Sequence, residues 1–184
     1  KLFSALDAFC QSIESYWSKQ ATEESQKYSL KALSLLKENL ENGIIKNDFN
    51  AFKKIVEGSN YAGKAINISK TTACHALSYF FTTKYNIPHG KAVAMMMPYV
   101  FQYHFLKIGE KGIIKNLIKI LNFKSTNFIN EFKYYFENLG VNVNFLDNDI
   151  NLKENIDELI LNVNVERLKN NPVKININKM FNYE

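Results

Sequence analysis

Apolar side chains recur at intervals of three and four residues along most of this 184-residue chain, which is the spacing of one face of an α-helix. The pattern is clearest at the start, where Leu2, Leu6, Phe9, Ile13 and Trp17 share one side of a predicted helix. No alternation of apolar and polar residues persists long enough to predict a strand, and residues 142–145 are the nearest, short candidate. The pattern therefore predicts an all-α fold.

Capping and breaking residues place the helix boundaries. Thr22 is a plausible N-cap for a second helix that ends near residues 42–43, and Asp48 suits the start of a third that runs towards residue 66. A fourth helix is expected over residues 71–84, and Pro88 fits the first turn of a fifth. Weaker amphipathic segments follow at about 110–121, 126–138 and 151–164, with a final short helix from about Asn176.

Composition limits the class of protein. Hydrophobic residues make up 46% of the chain and charged residues 22%, which is typical of one globular core. No run approaches the roughly 18 to 20 apolar residues of a membrane helix, so no membrane partner is expected. Glycine occurs only seven times and no Gly-rich phosphate loop is present, so a complete dinucleotide-binding domain is absent from these residues. The chain lacks an initiator Met and is expected to be part of a longer protein.

The distribution of charge bears on nucleic-acid binding, and the number of cysteines bears on the cellular compartment. The net charge is +5, but the lysines are scattered and Arg167 is the only arginine, so nucleic acid is not an expected partner. Two cysteines, Cys10 and Cys74, make no disulfide framework, which fits a reducing cytoplasm. We interpret both as small buried thiols, with direct metal ligation as the less favoured alternative.

Four side chains predict a metal site when they are taken together. His75 and His89 are two of only three histidines, and imidazole is the commonest neutral ligand for transition metals. Asp7 and Gln11 stand four residues apart and therefore share one helix face. Separately, each feature has an ordinary structural explanation, such as a solvated polar stripe, a packed histidine or a turn histidine.

Several segments resemble the iron-containing alcohol dehydrogenases. Residues 7–18 (DAFCQSIESYWS) are similar to the first metal-ligand helix of that family. Further similarity lies in the histidine segment and near the end of the chain, at residues 75–78 (HALS), 86–90 (NIPHG), 97–100 (MPYV) and 167–172 (RLKNNP). The resemblance implies that residues 1–184 form the helical, metal-binding catalytic domain of this fold, which the dehydroquinate synthases share. The N-terminal α/β domain that binds NAD(P) would then be absent from this chain.

The resemblance also implies a ligand set. The family uses one aspartate and three histidines, which Asp7, His75 and His89 match, whereas Gln11 stands where most members have histidine. Either the Gln11 amide is a fourth, oxygen ligand, or the site has three strong ligands and a water. Fe²⁺ is the favoured divalent metal, and Zn²⁺ also suits such a mixed nitrogen and oxygen set. Glu14 and Ser18, on the face of Asp7, are candidates for supporting these ligands.

A second departure from the family lies one helical turn after His75. Tyr79 occupies a position where many members have another histidine, so it is either a catalytic proton donor of altered character or an aromatic residue that lines the pocket.

The segment before the His75 helix is a candidate anion site. Ser69, Lys70, Thr71 and Thr72 offer hydroxyls, an ammonium group and helix N-terminal amides, although an ordinary helix start would look the same. Together with Gln11 and Tyr79, this segment resembles the phosphonoacetaldehyde reductase branch of the family. The four residues then become candidate contacts to a phosphonate substrate.

The implied activity is hydride transfer between NAD(P)H and a small aldehyde or alcohol, with the metal as Lewis acid. One such reaction converts phosphonoacetaldehyde to 2-hydroxyethylphosphonate. NAD(P) would be bound mainly by the absent domain, so these 184 residues alone are expected to be inactive, and the full-length protein is expected to be a cytoplasmic homodimer. The alternatives are another superfamily member, similar to glycerol dehydrogenase or dehydroquinate synthase, and a metal-free helical interaction module.

Overall fold

A computed structural model describes residues 1–182, and every regular element within them is helical. The ten α-helices are α1 (Leu2–Trp17), α2 (Glu23–Leu40), α3 (Phe49–Ser69), α4 (Ala73–Tyr85), α5 (His89–Ile108), α6 (Gly112–Leu121), α7 (Phe128–Asn138), α8 (Leu152–Asn162), α9 (Val165–Lys169) and α10 (Ile177–Met180). A π-helical turn, Glu41–Ile45, extends α2, and a 3₁₀ turn spans Leu146–Asn148. The predicted all-α fold is confirmed, and residues 142–145 form no strand.

The first three helices pack on one another, and α2 and α3 begin at the predicted caps. Thr22 accepts a hydrogen bond from the backbone of Ser25 while the Ser25 hydroxyl accepts one from the backbone of Thr22, which completes a capping box. Asp48 caps α3 through the backbone N–H of Ala51. These local bonds explain why α2 and α3 begin where the sequence predicts.

Helix α5 runs through the centre of the domain. Its residues are apolar on nearly all sides, and those from Ala92 to Phe101 are buried against α1, α4 and α7. The Phe101 ring lies 5.0 Å from that of Phe128 and 5.3 Å from that of Phe132, measured between centroids, which joins α5 to the start of α7. The central position of α5 fixes its first residue, His89, relative to α1 and α4.

The segment predicted as one helix over residues 151–164 ends earlier than expected, and a separate short helix follows it. Val163 adopts an extended backbone after α8, and Asn164 then caps α9 by accepting from the backbone N–H of Arg167. Helix α9 packs against α4, so this break brings the only arginine of the chain beside the histidine helix. Among residues 1–182, no helix is long and apolar enough to cross a membrane.

Candidate metal centre

Three of the four predicted ligands meet where α1, α4 and α5 converge. The Nε2 atom of His75 lies 3.0 Å from Oδ1 of Asp7, and Nε2 of His89 lies 3.8 Å from the same oxygen. One ligand atom from each of the three residues lies within 4.8 Å of the others. A carboxylate and two imidazoles at this spacing suit a divalent transition metal.

A glycine allows this convergence. At Gly90, the second residue of α5, a Cβ atom would lie 1.9 Å from the carbonyl oxygen of Phe3 on α1. Only glycine therefore lets the start of α5 approach α1 so closely. The contact sets His89, the preceding residue, beside Asp7.

Gln11 lies at the same site but faces Asp7 with its amide nitrogen. Its Nε2 donates to Oδ2 of Asp7 over 2.9 Å, which orients the carboxylate so that Oδ1 points to the histidines. In this arrangement Gln11 positions a ligand, and direct ligation by its amide oxygen stays a prediction.

Glu14 is the main supporting residue of the centre. Its side chain is fully buried, and Oε2 makes a short contact with Nδ1 of His75. Its other oxygen, Oε1, accepts from the Thr72 hydroxyl at 2.6 Å and from the backbone N–H groups of Thr72 and Cys74 at 3.1 and 2.8 Å. The sequence analysis placed Glu14 on the helix face of Asp7 as one of two candidates for supporting the ligands, but it could not show that Glu14 contacts His75.

Burial and neighbouring charges shift the pKa values of three side chains in the centre. Burial disfavours the charged form of His75, but the carboxylates of Glu14 and Asp7 outweigh it and raise the pKa of His75 to about 9. Burial also opposes ionisation of Glu14, yet His75 and the hydrogen bonds to Oε1 lower the pKa of Glu14 overall. Partial burial lowers the pKa of His89, and His75 and Arg167 add to that effect against the opposing charge of Asp7.

Cys10 and Cys74 are buried beside the centre as free thiols. Burial, followed by the charge of Glu14, raises the pKa of each thiol well above its ordinary value. Cys74 contacts the sulfur of Met97 at 3.9 Å. Both cysteines therefore behave as packed thiols, in line with the favoured interpretation from sequence.

The centre opens into a cleft of about 630 Å³. Its lining residues come from five helices and the loops between them, and they include Gln11, Gln20, Gly63, Lys70, Thr71, His75, Tyr79, His89, Glu166 and Arg167. The Tyr79 ring stacks on His89 with 5.3 Å between centroids, and the Arg167 guanidinium lies over Tyr79 at 5.1 Å from its centroid. Tyr79 is therefore part of the cleft wall next to a predicted ligand.

The predicted anion segment divides into two pairs. Lys70 and Thr71 line the cleft, with Lys70 in the left-handed region at φ 61°, which turns the chain between α3 and α4. Ser69 and Thr72 are fully buried instead. The Ser69 hydroxyl bonds to that of Ser15 at 2.6 Å, and the Thr72 hydroxyl lies between Glu14 and the indole of Trp17. Their hydroxyls are engaged inside the protein, so the geometry favours a role in positioning Glu14 and the turn.

Comparisons with known proteins agree with this geometry. Residues 1–183 match the family described as Fe-containing alcohol dehydrogenase family, C-terminal. A 4-hydroxybutyrate dehydrogenase of Clostridium kluyveri is 33% identical over 121 residues, which cover 64% of this chain and 32% of that protein. A phosphonoacetaldehyde reductase of Streptomyces viridochromogenes is 30% identical over 109 residues, which cover 57% of this chain and 27% of that protein.

Solved structures share the fold. A sulfoacetaldehyde reductase from Bifidobacterium kashiwanohense superposes with a TM-score of 0.83 at 24% identity, covering 97% of this chain and 48% of that one. An iron-containing alcohol dehydrogenase superposes with a TM-score of 0.75 at 27% identity, covering 97% and 46%. The chain thus spans about a third of the length of the curated relatives and about half of these structures. It belongs to the iron-containing alcohol dehydrogenase family, whose C-terminal domain it represents.

Proposed function

We propose that this chain is the metal-binding half of an NAD(P)-dependent oxidoreductase that interconverts a small aldehyde and the corresponding alcohol. The observation that carries the proposal is the convergence of Asp7, His75 and His89 at an open cleft. The family match supports it, and the remaining part of the enzyme, including most of the NAD(P) site, is proposed to lie in a domain outside these residues.

The donor set fits Fe²⁺, which we propose as the native metal, and also fits Zn²⁺. When bound, the divalent metal supplies Lewis-acid catalysis at the substrate oxygen, and the nicotinamide supplies the hydride. Glu14 accepts a hydrogen bond from Nδ1–H of His75, so Nε2, which faces Asp7, is the nitrogen that would ligate the metal. Gln11 holds the Asp7 carboxylate through its amide nitrogen.

Tyr79 is the proposed proton donor to the substrate. It lines the cleft, its side chain is exposed enough to reach a bound molecule, and it stacks on His89. A neutral phenol can protonate a developing alkoxide, which is a much stronger base, but it is a weaker acid than an imidazolium, so its role differs from that of a histidine.

The substrate is proposed to be a short aldehyde, and phosphonoacetaldehyde is the specific candidate, with 2-hydroxyethylphosphonate as the product. Two relatives are named for substrates that carry an anionic group, 4-hydroxybutyrate and phosphonoacetaldehyde, whereas another is a 1,3-propanediol dehydrogenase, whose named substrate is neutral. Lys70 and Thr71 in the cleft favour an anion. The free thiols Cys10 and Cys74 support a reducing, cytoplasmic location, and a homodimeric full-length protein stays a prediction.

Anaerobic calorimetry with Fe²⁺ and Zn²⁺ on the metal-stripped chain tests the proposal. We expect binding of one metal per chain that is lost in His75→Ala and in His89→Ala. Gln20→Ala is the matched control, because Gln20 lines the same cleft but is not a predicted ligand. Absence of metal binding to the parent chain, or equal binding by His75→Ala, would refute the proposed metal centre.

A further inference from the structure

We propose that Arg167 determines specificity by binding an anionic group at the end of the substrate that is remote from the metal. The inference rests on the proposed function, because it takes the reacting end of the substrate to lie at Asp7, His75 and His89. Arg167 is part of the motif near the end of the chain, but the sequence analysis predicted no role for it in the cleft.

The guanidinium of Arg167 is held in the cleft by neutral contacts. Its Nη1 atom donates to the Thr71 hydroxyl over 2.9 Å, and the guanidinium plane lies over the ring of Tyr79. No carboxylate among residues 1–182 forms an ion pair with Arg167. The side chain is half-buried, so it presents an uncompensated charge and free N–H donors to whatever enters the cleft.

A guanidinium group matches the oxygens of a carboxylate, phosphonate or sulfonate through paired N–H donors. Lys70 adds a second cation to the same cleft. Glu166 also lines it, but this carboxylate is exposed and therefore screened by water. The charge of the cleft beyond the metal ligands thus favours an anion.

Tyr79 contacts both a predicted metal ligand and Arg167. Two ring contacts, of 5.3 Å from His89 to Tyr79 and 5.1 Å from Tyr79 to the guanidinium, separate a predicted metal ligand from the arginine. A molecule with its carbonyl at the metal ligands and its anion at Arg167 lies along the Tyr79 ring. A neutral diol bound in the same way would gain no ion pair at Arg167.

Neighbouring side chains hold the arginine in place before any ligand arrives. Asn164 caps α9 at the Arg167 backbone N–H. Asn170, just after α9, donates to the carbonyl oxygens of Ser69 and Thr71 over 2.8 and 3.1 Å. Because α9 is fixed to the turn before α4, little conformational entropy is lost when an anion binds.

NMR on the ¹⁵N-labelled, Zn²⁺-loaded chain tests the inference, because the only arginine gives one guanidinium Nε–H signal. The probes are 2-hydroxyethylphosphonate, 4-hydroxybutyrate and neutral 1,3-propanediol. We expect both anions, but not the diol, to shift the Arg167 signal saturably. Anion Kd, followed through backbone amides near the cleft, should rise about tenfold or more in Arg167→Gln, since a hydrogen bond to a charged group is lost.

Two further variants separate geometry from charge. Arg167→Lys keeps the charge without the paired donors and should give an intermediate Kd. Lys174→Gln removes one exposed positive charge outside the cleft and should leave the Kd unchanged. An Arg167 signal that does not move, an unchanged Kd in Arg167→Gln, or an equal loss in Lys174→Gln would overturn the inference.

Metal binding is measured separately on the same samples. If the anions do not bind at Arg167 but the chain still binds metal, the inference about Arg167 is wrong and the proposed function stands. Loss of the metal centre would instead count against the proposed function, and anion binding to the metal-free chain would still report on Arg167.

Discussion

At the scale of single residues, Glu14 decides which nitrogen of His75 faces Asp7. The Glu14 carboxylate accepts a hydrogen bond from Nδ1–H of His75 through Oε2. This carboxylate cannot rotate away, because Thr72 and the backbone N–H of Cys74 hold its other oxygen. A ligating histidine depends on such a partner to fix its tautomer and ring orientation. The buried carboxylate is in turn stabilised by four hydrogen bonds, without which burying its charge would be costly.

We predict that Glu14→Gln lowers metal affinity by about 10- to 100-fold, the range for loss of a residue that orients a ligand. The amide keeps one oxygen for Thr72 and Cys74, but its nitrogen donates to Nδ1 of His75. That bond moves the imidazole proton to Nε2, where it blocks ligation. Calorimetry with Zn²⁺ measures the change, with the exposed Glu23→Gln as control. Equal affinities in the parent chain and Glu14→Gln would show that Glu14 does not set the tautomer.

The pKa of His75 also makes the stability of the metal-free chain depend on pH. Because the pKa rises from 6.5 to about 9 on folding, the His75 contribution is fully present below pH 6.5 and is lost as the pH rises through 9. We therefore expect the free energy of unfolding of the chelator-treated chain to fall between these values. Urea denaturation at a series of pH values measures it, and His75→Gln should flatten the dependence. If the free energy of unfolding of the parent chain depends on pH as little as that of the variant, His75 is not the source of the pH dependence.

At the scale of helices, the centre depends on how closely α5 approaches α1. Asp7 and His89 are brought together by two helices whose backbones touch at Gly90 and Phe3. Any side chain at Gly90 would force the helices apart, because the atom it meets belongs to backbone and cannot rotate away.

We predict that Gly90→Ala costs about 1–3 kcal/mol of the free energy of unfolding, as overpacking typically does, and weakens metal binding by separating His89 from Asp7. Gly63→Ala is the matched control. It also lies inside a helix, but its Cβ would meet nothing within 4 Å, so it should stabilise the chain by about 0.5–1 kcal/mol. Denaturation and Zn²⁺ calorimetry on both variants check this, and similar effects at the two glycines would refute the close-approach argument.

At the scale of the whole molecule, the cleft is one wall of the proposed active site. The two histidines, Tyr79 and Arg167 line an open cavity, and the segment that matches the 4-hydroxybutyrate dehydrogenase covers only 32% of that protein. The hydride source is proposed to belong to the domain outside these residues. The three candidate metal ligands, Asp7, His75 and His89, instead all belong to this chain.

The 184-residue chain alone should therefore bind metal but transfer no hydride. Incubation of the Zn²⁺- or Fe²⁺-loaded chain with NADH, NADPH and a panel of aldehydes should give no nucleotide oxidation. The control is the enzyme assembled with its nucleotide-binding domain. NAD-dependent turnover by the isolated chain would show that these residues bind the cofactor productively by themselves.

The sequence by itself determined most of the helices and indicated three candidate metal ligands. Three- and four-residue spacing is a local property, and the caps at Thr22 and Asp48 bond to residues three positions away, so both are readable from the chain. Asp7, His75 and His89 stood out because histidine is scarce here and because their segments resemble a known family. The end of α8 and the separate α9 were missed, since the extended residue between them carries no strong breaker.

Only the tertiary structure decided which polar residues face the cleft. Glu14 meets His75 across 61 positions, and Arg167 meets Thr71 across 96, which are separations that no local pattern encodes. Within one four-residue segment, packing turned Ser69 and Thr72 inwards and left Lys70 and Thr71 at the cleft. Their chemistry alone could not separate them, because a hydroxyl is equally suited to a buried hydrogen bond and to a ligand. Packing of the neighbouring helices made the distinction: Ser69 and Thr72 are fully enclosed, whereas Thr71 keeps a small exposed fraction that lines the cleft.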